Sequence, residues 1–438
     1  MMRLKILLGL VFAALPFAAH AVNVERVVSP GGVEAWLVQD TANPLVSMRF
    51  AFQGGSELDP ENLGGLANLA ASTMDEGAGE IGSQAFQQRL TDRSIVLRFD
   101  AGLDVFGGRL KSLSSNVDEA FDLLRLALTQ PRFDDEPVAR LKSQIQSNIR
   151  RSSEQPNTVA FEALFKGFYS DDGYAQKSDG TVDSVAAIKR QDLVDFVKTR
   201  ITRDGLIIGV VGDVTPARLG ALLDKAFATL PAKSNVKPSP DTKAQAHGRL
   251  TIIEKDIVQS TIVFGHGGPK RNDPDFYATL IMNHILGGGS FTSRLYNEVR
   301  EKRGLAYSVG SSVYPLDRAG MLVGSAGTEN ARVAETIDVV RAEWARMAAG
   351  DVSQDEVDVA KTNISGSFPL RLTSTTAIAR VLVAMQLSDL GIDYLDRRSA
   401  YIAAVTLGDV KRVAAKYLDP ANLDVVVVGK PVGVEPRL

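Results

Sequence analysis

The sequence predicts an α+β protein of two homologous domains, each a largely antiparallel sheet packed with helices, arranged as a clamshell. Three observations carry this. The chain has 438 residues and is 45% hydrophobic, enough for roughly two to four domains with sizeable cores. A polar, proline-bearing stretch divides it. Matching segments lie on either side of that stretch.

The division falls at 236–248, where Pro238 and Pro240 sit among lysines, Asp241 and Gln245 with no apolar period. Such a stretch reads as a linker between a first domain over 22–235 and a second over 249–438. Near the end of each half, Val185-Ala186-Ala187-Ile188 leads through Asp192 to Leu206–Gly212, and Ile402-Ala403-Ala404-Val405 leads through Asp409 to Leu423–Gly429. Asp192 and Asp409 are 217 residues apart, and the other pairs keep the same offset. Each copy reads as an amphipathic helix followed by a buried strand that ends at a glycine. Near the start of each half, Val46–Phe52 runs into Gly54-Gly55 and Asp59-Pro60, while Ser260–Phe264 runs into Gly267-Gly268 and Asp273-Pro274. Matching elements at both ends indicate one unit written twice.

Within the first half, Val24–Val28 and Val33–Val38 flank Pro30-Gly31-Gly32 as a hairpin. Strands follow at 94–100 and 104–110. Val117, Phe121, Leu124 and Leu128, and then Val138, Leu141, Ile145 and Ile149, form two apolar stripes at helical spacing. The second half repeats the order, with strands at 307–313 and 320–325.

Composition excludes several functions. With 49 basic and 52 acidic side chains the formal charge is −3, so no global basic field is available for nucleic acid. With Cys 0 there is no disulfide, thiol nucleophile or thiolate metal site. The N-terminus reads as a signal peptide over 1–21: Arg3 and Lys5, an apolar run from Ile6 to Phe17, then Ala19-His20-Ala21. That run is shorter than the roughly 20 residues a bilayer core requires. The expectation is cleavage after Ala21 and a periplasmic or otherwise secreted chain with no stable membrane anchor.

Gly64-Gly65-Leu66-Ala67 opens a helix, and Gly288-Gly289-Ser290-Phe291-Thr292-Ser293-Arg294-Leu295-Tyr296 runs on to Arg300 and then Arg303-Gly304-Leu305-Ala306-Tyr307. On these residues, and on the duplicated halves, the chain resembles the pitrilysin-type (M16, insulinase-like) zinc peptidase family over essentially all of 22–438. Catalytic members carry H-x-x-E-H, in which two histidines on one helix face hold zinc and a glutamate acts as general base; a distal glutamate completes the ligand set. The motif positions here read Asn68-Leu69-Ala70-Ala71-Ser72, and the distal position falls near Asn148. The resemblance therefore implies a chain with degenerate metal positions Asn68, Ala71, Ser72 and Asn148, no metal of its own, and no peptidase activity alone. His247, His266 and His284 have no ligand-like spacing, and Asp75-Glu76-Gly77 reads as a helix end. Gly287–Ser290 lacks the Lys-Ser/Thr of a phosphate loop.

The family likeness assigns Arg300 and Tyr307 to contacts with a peptide bound at a partner's zinc, where a guanidinium and a phenol can donate to a carbonyl or an oxyanion. Arg294, Tyr296, Gly288 and Gly289 are further substrate-binding candidates. The implied partner is a catalytic M16 subunit bearing H-x-x-E-H and the zinc, forming a heterodimer that degrades or processes peptides. The alternatives are a non-catalytic peptide-binding clamp or a structural scaffold, acting by self-association.

Overall fold

The computed structural model describes residues 23–437, so the leader expected over 1–21 lies outside the described residues. The first half holds strands β1 (Glu25–Val28), β2 (Glu34–Gln39), β3 (Leu45–Gln53), a short pair β4 (Gly77–Ala78) and β5 (Ile81–Gly82), β6 (Val96–Ala101), β7 (Val105–Leu113) and β8 (Leu206–Gly212). Its helices are α1 (Leu66–Thr73), α2 (Ser83–Asp92), α3 (Val117–Thr129), α4 (Asp135–Ser152), α5 (Pro156–Tyr169), α6 (Val182–Ala187), α7 (Arg190–Arg200) and α8 (Pro216–Phe227). The second half adds strands β9 (Leu250–Glu254), β10 (Gln259–Gly267), β11 (Ala306–Pro315), β12 (Gly320–Glu329) and β13 (Asp424–Gly429). Its helices are α9 (Phe276–Asn283), α10 (Val333–Ala348), α11 (Gln354–Ser367), α12 (Thr375–Leu387), α13 (Tyr394–Ala404) and α14 (Leu407–Tyr417).

The two main sheets have one topology. In the first the order is β1-β2-β8-β3-β7-β6, and in the second it is β11-β12-β10-β13-β9. Read from β6 and from β11, five strands correspond one to one. Only β2 with β8 and β13 with β9 pair in parallel; the other neighbours are antiparallel. The two-domain α+β class read from the sequence is the class of the molecule. The repeated aspartates have a local cause: Asp192 accepts from the Lys189 amide and Asp409 from the Thr406 amide. Each thereby satisfies a donor at the start of its helix.

Each half has its own core. The first stripe read from the sequence is α3, with Val117, Phe121, Leu124 and Leu128 all buried against β-sheet residues such as Phe50 and Phe106. The second core centres on Trp344, Leu322 and Val427. Asp75-Glu76-Gly77 ends its helical segment as expected, with Asp75 paired to Arg98 at 2.8 Å and Glu76 to Arg140 at 2.6 Å.

The halves are joined by an exchange of helices. From the first half, α5 lays Ala160, Leu164 and Phe168 across β10 and β13, against Val263, Val426 and Val428. From the second half, α12 lies across β8 and β3, and its Ala379, Leu382 and Met385 pack with Val211 of β8 and with Trp36 and Val38 of β2. The halves of the expected clamshell are thereby pinned, each by a helix borrowed from the other. Residues 231–249 carry no helix or strand. They run over this junction, where the Gln245 amide donates to Phe168 O and the Thr242 amide to Arg318 O.

Close approach of α12 depends on Gly209 in β8. A Cβ there would lie 2.7 Å from the Ala379 carbonyl and 2.8 Å from Leu382 Cβ. Gly209→Val is expected to cost about 1–3 kcal/mol by overpacking. A lowered urea midpoint, with increased proteolysis at α12, is the check.

Candidate functional site

Two places correspond to the residues singled out in the sequence. The first is α1, which carries the positions that the family likeness equates with the zinc motif. Asn68 donates from Nδ2 to Asp179 at 3.0 Å, and Ser72 donates from Oγ to the Asn68 carbonyl at 2.9 Å. Ala71 is buried in the first core. Asn148, on the neighbouring α4, accepts from Arg151. Two amides, a methyl and a hydroxyl already bonded to the backbone do not make a zinc ligand set, which needs imidazole, thiolate or carboxylate donors. Among the described residues, no three His, Cys, Asp or Glu side chains gather in a way that could hold a metal ion.

The histidines have other work. His266 is buried, its Nε2 accepting from the Trp344 indole at 2.8 Å and its Nδ1 2.7 Å from the Gly267 carbonyl. Burial lowers its pKa, consistent with a neutral ring. His284 lies at the end of α9 with Nε2 enclosed and without a protein partner.

The second place is the approach to β11. The chain from Tyr296 to Glu301 winds as a wide π-type turn, a rare conformation frequent at functional sites. Gly304, at φ +58°, lets the chain leave this turn in the left-handed region. It then enters β11 through a β-bulge: Ala306 pairs with Thr328 and Ser308 with Gly327, leaving Tyr307 as the extra residue. A bulge frees one residue from the ladder and re-aims its side chain. Tyr307 is accordingly 80% exposed.

Arg300 fixes this arrangement. Its Nη1 donates to the Tyr307 carbonyl at 2.9 Å. Its guanidinium lies 4.8 Å from the Tyr307 ring centroid and 4.9 Å from that of Tyr296, within the range of cation–π attraction. The seven-residue spacing thus bends back on itself, and Arg300 braces a tyrosine whose hydroxyl faces solvent. Gln259, Thr328 and Glu329 complete the wall of a shallow depression of ≈350 Å3 around the pair.

The structure gives the weaker candidates structural work. Arg294 forms a two-pronged ion pair with Glu356, at 2.7 and 2.8 Å, that ties the turn to the start of α11. Tyr296 is buried beneath Phe291 and Arg300. Gly288 packs under the Asn283 side chain, and Gly289 against the His284 carbonyl. The family likeness brought Arg300 and Tyr307 forward. The bulge and the Tyr296 platform had no sequence signal, because a one-residue register shift leaves no pattern in a single strand.

Known proteins resemble this chain in sequence and in fold. Residues 187–364 match the family model described as the Peptidase M16 inactive domain. A relative named Non-peptidase homolog YmxG, from Helicobacter pylori, is 28% identical over 75% of this chain and 76% of its own length. An uncharacterized zinc protease of Streptomyces coelicolor is 25% identical over 90% of this chain and 87% of its own. A crystal structure of a peptidase M16 inactive domain from Pseudomonas fluorescens superposes with a TM-score of 0.88 at 27% identity, covering 95% of this chain and all of that one. A protease from Helicobacter pylori has the same fold, with a TM-score of 0.84 at 18% identity over 93% of this chain and all of its own.

Proposed function

We propose that this chain, a member of the M16 peptidase family whose residues 187–364 match that family's inactive domain, is the metal-free subunit of a two-chain zinc peptidase. A catalytic M16 subunit would bring H-x-x-E-H and the zinc, and this chain would contribute Tyr307 to the bound peptide. One observation carries the reading: Tyr307 is presented to solvent by a bulge and braced by Arg300, while the zinc positions on α1 and α4 hold no metal-binding side chains.

The chemistry follows from the groups. A phenol donates one hydrogen bond, which strengthens as the carbonyl it meets gains charge on attack. Zinc in the partner would supply Lewis-acid activation. Arg300, with one N–H committed to the Tyr307 backbone, holds the phenol in place and adds positive potential beside it. It is a positioning residue more than a donor. Export belongs to the same reading: cleavage behind Ala21 would deliver the mature chain to the periplasm. No helix of the described residues is long and apolar enough to cross a membrane.

The second reading is a peptide-holding clamp or scaffold that works as a homo-oligomer without a catalytic partner; the name non-peptidase homolog, carried by the Helicobacter relative, fits either reading. Metal analysis separates these from an autonomous enzyme. The mature chain, purified without a metal-affinity column, is expected to carry far less than one zinc per chain and to leave peptides uncut. Near-stoichiometric zinc with chelator-sensitive cleavage would overturn the proposal.

A further inference from the structure

Away from Tyr307, α9, β11, α11, α12 and α13 line a half-open cavity of ≈670 Å3, within the range of about 300–1,000 Å3 usual for small-ligand sites. One wall is apolar, from Leu280, Ile364, Val381 and Met385. The charged groups on its surface are Arg271, Arg371 and Arg398, and no carboxylate lines it. Among the described residues, none of the three lies within ion-pair distance of a carboxylate.

Such an arrangement is costly without a counter-charge. Arg398 is 7% exposed, and its guanidinium lies 4.0 Å from the Phe368 ring centroid. Burial pushes its pKa below the ordinary guanidinium value; the Tyr394 and Tyr277 phenols oppose this, and the nearby Arg371 adds to it. Arg271 donates to the Tyr277 and Tyr394 hydroxyls at 3.2 and 2.7 Å and stacks 4.1 Å from the Phe276 ring centroid. Burial raises the Tyr277 pKa, so this phenol stays neutral and supplies no anion. The His284 Nε2, on the same wall, has no protein partner. A buried cation is normally paired, and this one faces a cavity with two more cations and no anion.

We infer that this cavity is a binding site for a small amphiphilic oxyanion, a carboxylate or phosphate head on an apolar tail. The arginines take the head by charge-assisted hydrogen bonds, and the aliphatic wall takes the tail. Nothing in this depends on zinc, on a partner, or on Tyr307.

The test is calorimetric titration and thermal melting of the mature chain with octanoate, octyl phosphate, inorganic phosphate and neutral octanol. Octanoate and octyl phosphate are expected to bind saturably and raise the melting temperature, inorganic phosphate to bind more weakly, and octanol not to bind. Arg398→Met keeps the contact with Phe368 but removes the charge. It is expected to raise the melting temperature of the empty protein while weakening the anion about ten- to a hundredfold. Arg371→Gln, at the exposed mouth, is the second variant and should weaken the anion without disturbing the fold. Equal response to octanol, or anion binding unchanged in both variants, would overturn the inference. Inorganic phosphate binding as tightly as octyl phosphate would overturn the role of the apolar wall.

Discussion

Arg318→Ala is expected to destabilise the folded chain by about 3–5 kcal/mol, the usual cost of removing one member of a buried ionic cluster. Arg318 stands at the end of the β11–β12 hairpin, and its partners lie in the first half and the linker. Its Nη2 is 2.7 Å from Glu57, a contact of charges more than an aligned hydrogen bond, and 2.6 Å from Asp172. Nη1 donates to the Pro240 carbonyl at 2.6 Å, and the guanidinium stacks 4.3 Å from the Tyr174 ring centroid. Its own amide donates to the Tyr174 hydroxyl at 3.1 Å, and that phenol donates to Asp104. Without Arg318, carboxylates 57, 104 and 172 share a largely enclosed junction with no cation between them.

The pH dependence has a definite sign. Burial already holds Glu57 and Asp104 above the ordinary carboxylate range, and Arg318 opposes that rise. In the variant their pKa values rise further. A raised folded-state pKa costs stability above that pKa, and the cost fades as the pH falls through it. The loss of stability should therefore be larger at pH 8 than at pH 5. Urea melts at both pH values check this; equal losses would show that the ionic cluster is not the cause.

Tyr307→Phe is expected to leave the chain's own stability within about 0.5 kcal/mol, as for other exposed positions. In the complex with a catalytic subunit it should lower peptide turnover by about 100- to 1,000-fold, the typical cost of one well-aimed donor to a developing oxyanion. Assembly should be unchanged, because only a hydroxyl is lost. Arg300→Lys keeps charge but loses the planar stack between Tyr296 and Tyr307, so a smaller fall in turnover is expected. A Phe variant as active as wild type would make Tyr307 a surface residue.

Much of the architecture was legible because it is local. The 217-residue echo marks strands that occupy matching places in the two sheets, and the α3 stripe names residues that are all buried. What joins the halves was not legible. The apolar faces of α5 and α12 announce burial but not against which sheet, and Arg318 finds Glu57 and Asp172 only after the helix exchange. At the candidate site, Asn68, Ala71 and Ser72 could be read directly as residues unfit to hold zinc, but only the family likeness marks theirs as motif positions. The bulge that turns Tyr307 outward depends on the pairing of β11 with β12, which no single segment encodes.

The proposed division of labour is tested most directly by peptide cleavage with this chain, with a co-expressed H-x-x-E-H-bearing M16 chain from the same source, and with the two mixed. The expected result is cleavage that appears, or rises many-fold, only in the mixture, peaks at equal stoichiometry and coelutes with a heteromeric complex. Cleavage by this chain alone, or a mixture no faster than the catalytic chain by itself with no complex formed, would contradict it.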